Sequence, residues 1–269
     1  MTASYWQDRL RWLKSKLRQH LKEMHQRRLG YSQYYAHEQD LAISAKFNHR
    51  WSQCQTPIKQ RLPEENLHQN RLTNMALAAR SIDGLILYPQ AIFSFWQRVP
   101  PPLPKHGFQA GPMLIRGQLT TDVGGGLCQI STTLFGAFLA GNLQILERYN
   151  HSVDTYGCDR FFTLGQDAAV VYGYKDLIVR HLHPIPLQIR LQVDSENLTT
   201  TASLWGQAPM PVAVILESKI MQAIPAPSAQ GISGWQVYTQ RSLPPLVSES
   251  SPRDPVINYM AADTYQPAP

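Results

Sequence analysis

Residues 122–141, DVGGGLCQISTTLFGAFLAG, decide how this chain is built. Three consecutive glycines let the backbone take positive φ and come close to a neighbour, and after them no proline and only the single Gly136 intervene before Gly141-Asn142. The pattern predicts a turn over Asp122–Gly126 and a helix of about four turns from Cys128 to Gly141. A helix start has unpaired N–H groups and a partial positive charge, which stabilise a thiolate. Cys128 therefore stands where a nucleophilic cysteine would. The loop Gly124, Gly125 and Gly126 with Gln129 is the candidate oxyanion hole, through the N–H groups of Gly126, Leu127 or Gln129. The plainer alternative is a tight strand-to-helix turn with a core cysteine.

Downstream, Leu143–Arg148, Ala168–Tyr174, Leu177–Leu182 and Pro186–Val193 read as strands, the last with alternating Leu187, Ile189, Leu191 and Val193. Upstream, 66–81 has helical spacing, 85–88 is strand-like and ended by Pro89, 107–119 is extended, and 31–60 reads as mixed polar helix and loop. Strand-like VAVIL, WQVYT and VINYM lie among many prolines after residue 206, predicting irregular added strands and a loose end. Together these give an α+β fold: N-terminal helices, then a central glycine-loop and cysteine helix packed on a mainly antiparallel sheet. The expected organisation is a basic amphipathic helical region at 1–60, a core domain at 61–205 and a Pro-rich strand-like extension at 206–269.

Leu10, Leu13, Leu17, Leu21 and Met24 share one side of a helix over residues 5–29. Residues 1–29 carry eight Lys/Arg against Asp8 and Glu23, equal to the whole chain's formal +6. The remainder is electrically neutral, so no nucleic-acid partner is expected, since phosphate binding needs cations spread over a face. The basic helix suits either contact with an anionic membrane surface or packing on the body with a solvated basic face. Neither a signal peptide nor a membrane-spanning run is readable, and the expectation is a cytoplasmic protein or one peripheral on the inner membrane face. Cys54, Cys128 and Cys158 have no C-x-x-C spacing, and His181 and His183 lack a third ligand, so neither metal nor cofactor is expected.

A nucleophilic thiol needs a base, and His151, 23 residues on, follows the return strand after the helix. The orienting carboxylate is Asp167, with Asp154 and Asp159 as alternatives. The series FSFW (93–96), GFxxGP (107–112), GGGLCQIST (124–132), ERxNHS (147–152) and DAAVVYGYKDL (167–177) resembles the VanW-like family of bacterial cell-envelope proteins over roughly Asn66–Val193, with weaker similarity at 235–241. The resemblance implies a link to vancomycin resistance and peptidoglycan, since some exported relatives look like cysteine L,D-transpeptidases. On that pattern Cys128 attacks a stem-peptide carbonyl and His151 moves protons. Arg116 or Arg148 holds a substrate carboxylate, or either is a structural ion-pair partner, with Glu147 the obvious candidate, and Ser131 and Thr132 complete the substrate contacts. The alternative is a non-catalytic accessory or ligand-binding protein of the family.

Overall fold

The computed structural model describes residues 3–115, 118–244 and 255–268. In chain order the elements are α1 (Ala3–Arg28), β1 (His49–Pro57), α2 (Glu65–Arg80), β2 (Ile86–Leu87), β3 (Ile92–Ser94) and α3 (Phe95–Arg98). There follow β4 (Ala110–Ile115), β5 (Gln118–Val123), α4 (Leu127–Ala140), β6 (Gln144–Glu147) and β7 (Ile178–Arg180). The chain closes with β8 (Leu187–Asp194), β9 (Thr199–Gly206), β10 (Ile215–Ile224), β11 (Gly234–Leu243) and β12 (Val256–Tyr265). The fold is α+β, with antiparallel sheets in the orders β1-β9-β8-β2, β3-β7-β6, β10-β11-β12 and the hairpin β4-β5.

α4 is apolar nearly all round, the signature of a helix enclosed on every side. Ile130, Leu134, Phe135, Phe138 and Leu139 are fully buried, and each contributes about 1.5–3 kcal/mol by leaving water. β1 and β9 cover one flank of α4 and α2 another. Gly136 permits the approach of β1, because a Cβ there would lie 2.5 Å from Cys54 Sγ. Ser94 caps α3, its Oγ accepting from Gln97 N–H at 3.3 Å.

The stretch 31–60, read as helix and loop, instead supplies β1, whose register with β9 runs from His49↔Gly206 to Pro57↔Thr199. Its polar HRWSQCQTP hides the strand because one face meets α4 while the other is wet. The central sheet thus draws strands from both sides of residue 60. Residues 168–174, read as a strand, form an irregular segment pinned by a Val171↔Lys175 bridge. The C-terminal strands are longer and more regular than expected, and Tyr265, at the end of β12, is fully buried.

α1 forms over the expected residues, yet its polar face turns inward. Gln19 and Gln26 are buried while Leu13, Leu17 and Leu21 are more than half or half exposed. Ser15 Oγ donates to Tyr172 O at 3.1 Å, Lys22 pairs with Glu147, and Tyr35 donates to Gln26 Oε1 at 2.8 Å. Among the described residues no helix is long and apolar enough to cross a membrane.

Candidate active site

The glycine turn between β5 and α4 is fixed by its surroundings. Gly124 and Gly126 have φ of 95° and 102°, where only glycine is unstrained. A Cβ on Gly125 would sit 2.5 Å from Pro112 O, and one on Gly126 2.6 Å from Met75 Cγ. The turn is therefore pressed against β4 and α2, and it delivers Cys128 into the first turn of α4. Gln129 N–H bonds Gly126 O at 3.0 Å and Leu127 N–H reaches Gly124 O at 3.4 Å. Of the N–H groups expected to form an oxyanion hole, Gln129 and Leu127 are thus engaged. Gly126 N–H and Cys128's own N–H have no backbone acceptor among the described residues.

His151 lies just beyond β6. Its backbone N–H donates to Asp167 Oδ2 at 2.7 Å and its ring Nδ1 meets the same oxygen at 2.5 Å. An ionised carboxylate only accepts, so Nδ1 carries the proton and Nε2 is left for the Cys128 thiol. The ring is held flat against Phe162, 5.7 Å between centroids. Asp154 pairs with Arg160, and Asp159 is exposed beside Lys59, so of the three candidate carboxylates Asp167 is the one that meets His151.

Asp167 is fully buried and collects four donors: His151 twice on Oδ2, and on Oδ1 Arg148 Nη2 at 2.8 Å and Tyr265 O–H at 2.5 Å. Burial opposes its ionisation, but the hydrogen bond and charge of His151 and the charge of Arg148 prevail and hold the carboxyl down at about 2. Burial likewise works against a charged His151. Its hydrogen bonds to Asp167 and Cys128 outweigh that and push the imidazole up to about 10. For Cys128 burial raises the thiol, yet hydrogen bonding and attraction from His151, with smaller help from the Val170 backbone and Lys175, bring it below its ordinary value. Both shifts push the pair toward a thiolate and an imidazolium. Cys54 supplies the contrast: half-buried on β1 with no such partner, its thiol is driven up to about 11 by desolvation.

The thiol opens onto a cleft of about 680 Å³, walled by Pro102, Leu103, Met113, Leu119, Phe161 and Tyr172. Lys16, Arg61, Arg71 and Lys175 also line it. A concave, mainly apolar cavity with a few convergent polar groups is the usual setting for ligand chemistry.

The family described as "VanW like protein" matches residues 70–203. The chain belongs to the VanW-like family. Two curated relatives are similar to it at 34% identity. One is the uncharacterized protein YoaR of Bacillus subtilis, aligned over 123 residues, 46% of this chain and 39% of the relative. The other is the vancomycin B-type resistance protein VanW of Enterococcus faecalis, aligned over 131 residues, 48% of each. The chain thus spans less than half the length of these relatives. No solved structure matches it significantly.

The VanW-like span contains Cys128, His151 and Asp167, whereas Tyr265, which bonds Asp167, lies outside it. The remaining expected site residues are placed elsewhere. Ser131 Oγ donates to Ala168 O at 2.6 Å, and Thr132 Oγ1 accepts Ala168 N–H at 3.1 Å. Both are buried and tie the Asp167 segment to α4 instead of facing the cleft. Gln129 turns its amide inward, to Thr56 Oγ1 at 3.1 Å and Pro57 O at 2.9 Å. Arg148 is consumed by Asp167 and Asp263, at 2.8 and 2.6 Å, and does not pair with Glu147, which holds Lys22. Arg116 lies outside the described residues. Sequence reading missed Asp263 and Tyr265, far along the chain in a strand with no motif, and the cleft cations Arg61 and Arg71.

Proposed function

We propose that this VanW-like protein is a cysteine-dependent acyl-transfer enzyme acting on a peptide of the cell envelope, with peptidoglycan stem peptide as the favoured substrate. The observation that carries the reading is the continuous line from Asp167 through the His151 ring to the Cys128 thiol at the mouth of a cleft. A buried carboxylate orienting an imidazole, which polarises a nucleophile, is the arrangement that acyl transfer requires. Support for the cell envelope comes from the relative named for B-type vancomycin resistance.

In the first half-reaction the Cys128 thiolate adds to the peptide carbonyl carbon, and the negative oxygen is met by the unengaged N–H of Cys128 or Gly126. The C–N bond then breaks. The departing amine, a D-amino acid in the transpeptidase form, takes the proton from His151, leaving a thioester. In the second, an acceptor amine or water attacks the thioester, gives its proton to His151, and the thiolate leaves. Asp167 keeps Nδ1 protonated throughout, so that Nε2 alone exchanges protons.

Incubation with stem tetrapeptides and pentapeptides, followed by intact-mass and peptide mapping, tests this. The expected result is a hydroxylamine-labile acyl adduct on Cys128 that is absent in Cys128→Ala. Peptide binding with neither adduct nor turnover would replace the reading with the accessory, ligand-binding one.

A further inference from the structure

The cleft holds two guanidiniums with little anionic compensation: Arg71 has neutral hydrogen-bond partners, and Arg61 has only a loose ion pair with Asp159. Arg71, on α2, is buried, and its partners are neutral: Nη1 donates to Lys59 O at 2.7 Å and Nη2 to Gln129 Oε1 at 2.5 Å. Burial lowers its affinity for its proton to about 10, and the nearby Arg61 adds to that pressure. Arg61 has a side chain only 10% exposed, and its Nε is buried with no hydrogen-bond partner. Its guanidinium lies 4.0 Å over the Tyr156 ring. Its contacts with Asp159 are loose, 3.4 Å from Nη2 to the carbonyl and 3.8 Å from Nη1 to the carboxylate, itself exposed and held by Lys59. Both arginines line the cavity into which Cys128 opens.

A buried arginine without an anionic partner is costly unless something supplies the anion. Stacking on an aromatic face fixes the guanidinium plane and leaves its N–H edge free for the fork geometry that carboxylates match. Arg71 grips the side chain of Gln129, the residue after the nucleophile, so the positive pair is tied to the thiol's own helix turn. Arg148, the described arginine expected to do this work, is already spent on Asp167 and Asp263.

We propose that Arg61 and Arg71 form an anion-holding subsite beside Cys128 that takes a carboxylate of the acyl donor, so that the cleft selects peptides with a free carboxylate close to the scissile carbonyl. This rests on the acyl-transfer reading for the word donor, while the subsite itself rests on the two arginines.

The test compares two alkylating agents of nearly equal size, anionic iodoacetate and neutral iodoacetamide, at Cys128 in protein carrying Cys54→Ser and Cys158→Ser. At an ordinary thiol the neutral reagent is the faster. Here the rate ratio should favour iodoacetate, and Arg61→Gln should lower that ratio at least about fivefold, while Arg61→Lys, which keeps the charge without the fork, lowers it less. Since His151 also attracts an anion, the change on Arg61→Gln, not the wild-type ratio, isolates the subsite. An unchanged ratio in Arg61→Gln protein whose circular dichroism spectrum matches wild type overturns the subsite. The ratio is readable even at a thiol of ordinary reactivity, an outcome that would sink the acyl-transfer reading alone.

Discussion

Replacing Asp167 with asparagine changes one buried oxygen to an NH2 group and nothing else in outline. Four donors converge on that carboxylate, two from His151 and one each from Arg148 and Tyr265. An amide oxygen can satisfy one side. If it stays with Arg148 and Tyr265, the NH2 faces His151, whose ring must present a bare Nδ1 and carry its proton on Nε2, toward the thiol. If the amide flips, the NH2 confronts the Arg148 cation. In the first case the imidazole can no longer take the thiol proton, and burial acts on Cys128 unopposed. Each unit of rise in the thiol pKa lowers the thiolate population about tenfold below both values, so alkylation at pH 6 should slow by at least about tenfold. Breaking a buried ion pair costs about 3–5 kcal/mol. Arg148 retains Asp263 at 2.6 Å, so the lower end applies. A loss of about 3 kcal/mol at about 2–4 °C per kcal/mol lowers Tm by about 6–12 °C. The assay is iodoacetamide labelling of Cys128 by mass spectrometry at pH 6, beside a thermal melt. Labelling as fast as wild type in a folded Asp167→Asn protein would refute the claim that Asp167 sets the state of the pair.

Gly125→Ala should cost about 1–3 kcal/mol by overpacking, because its Cβ meets Pro112 O at 2.5 Å and Gly111 C at 2.7 Å; the urea midpoint measures this. Asp176 is buried, and desolvation raises its carboxyl to about 6. An acid with a raised folded pKa binds more protons folded than unfolded, so this group destabilises as pH rises from its ordinary value of 3.8 through about 6, by up to about 3 kcal/mol. Asparagine can accept from Trp96 and Leu177 N–H and donate to Ser94 Oγ, so Asp176→Asn should stabilise the protein at pH 8 and much less at pH 4, as denaturation at the two pH values will show. Gly173→Ala would place a Cβ 2.5 Å from Ser15 O at φ 75°, which should loosen α1 and hasten its removal by limited proteolysis while the body resists.

The helix of the opening motif was legible because it is mostly apolar and its start is marked by glycines; Cys128 was nominated by that turn, His151 by its place after the return strand, and Asp167 as one of three carboxylates with Asp154 and Asp159. β1 was not legible: its polar sequence HRWSQCQTP acquires strand form from its partner β9, some 150 residues later. Nor could sequence place Ser131, Thr132 and Gln129, whose helical phase near the thiol is compatible with facing either cleft or core. The structure settles that phase, since the carbonyl of Ala168 draws the two hydroxyls inward. Tyr265 escaped notice for the same reason as β1. A residue 98 positions from Asp167 becomes its hydrogen-bond donor only because β12 is locked to β11. A helix forms at α1 as its sequence predicts, but which side of it faces the body depends on Ser15, Lys22 and Gln26 finding partners at Tyr172, Glu147 and Tyr35.

The central claim is that Cys128 rests as a thiolate because His151, oriented by Asp167, is charged beside it. The rate of Cys128 alkylation against pH, with Cys54 and Cys158 replaced, tests it most directly. The expected apparent thiol pKa lies below about 8.5 and rises when His151 becomes alanine. A thiol of unperturbed or higher pKa, indifferent to His151→Ala, would contradict it.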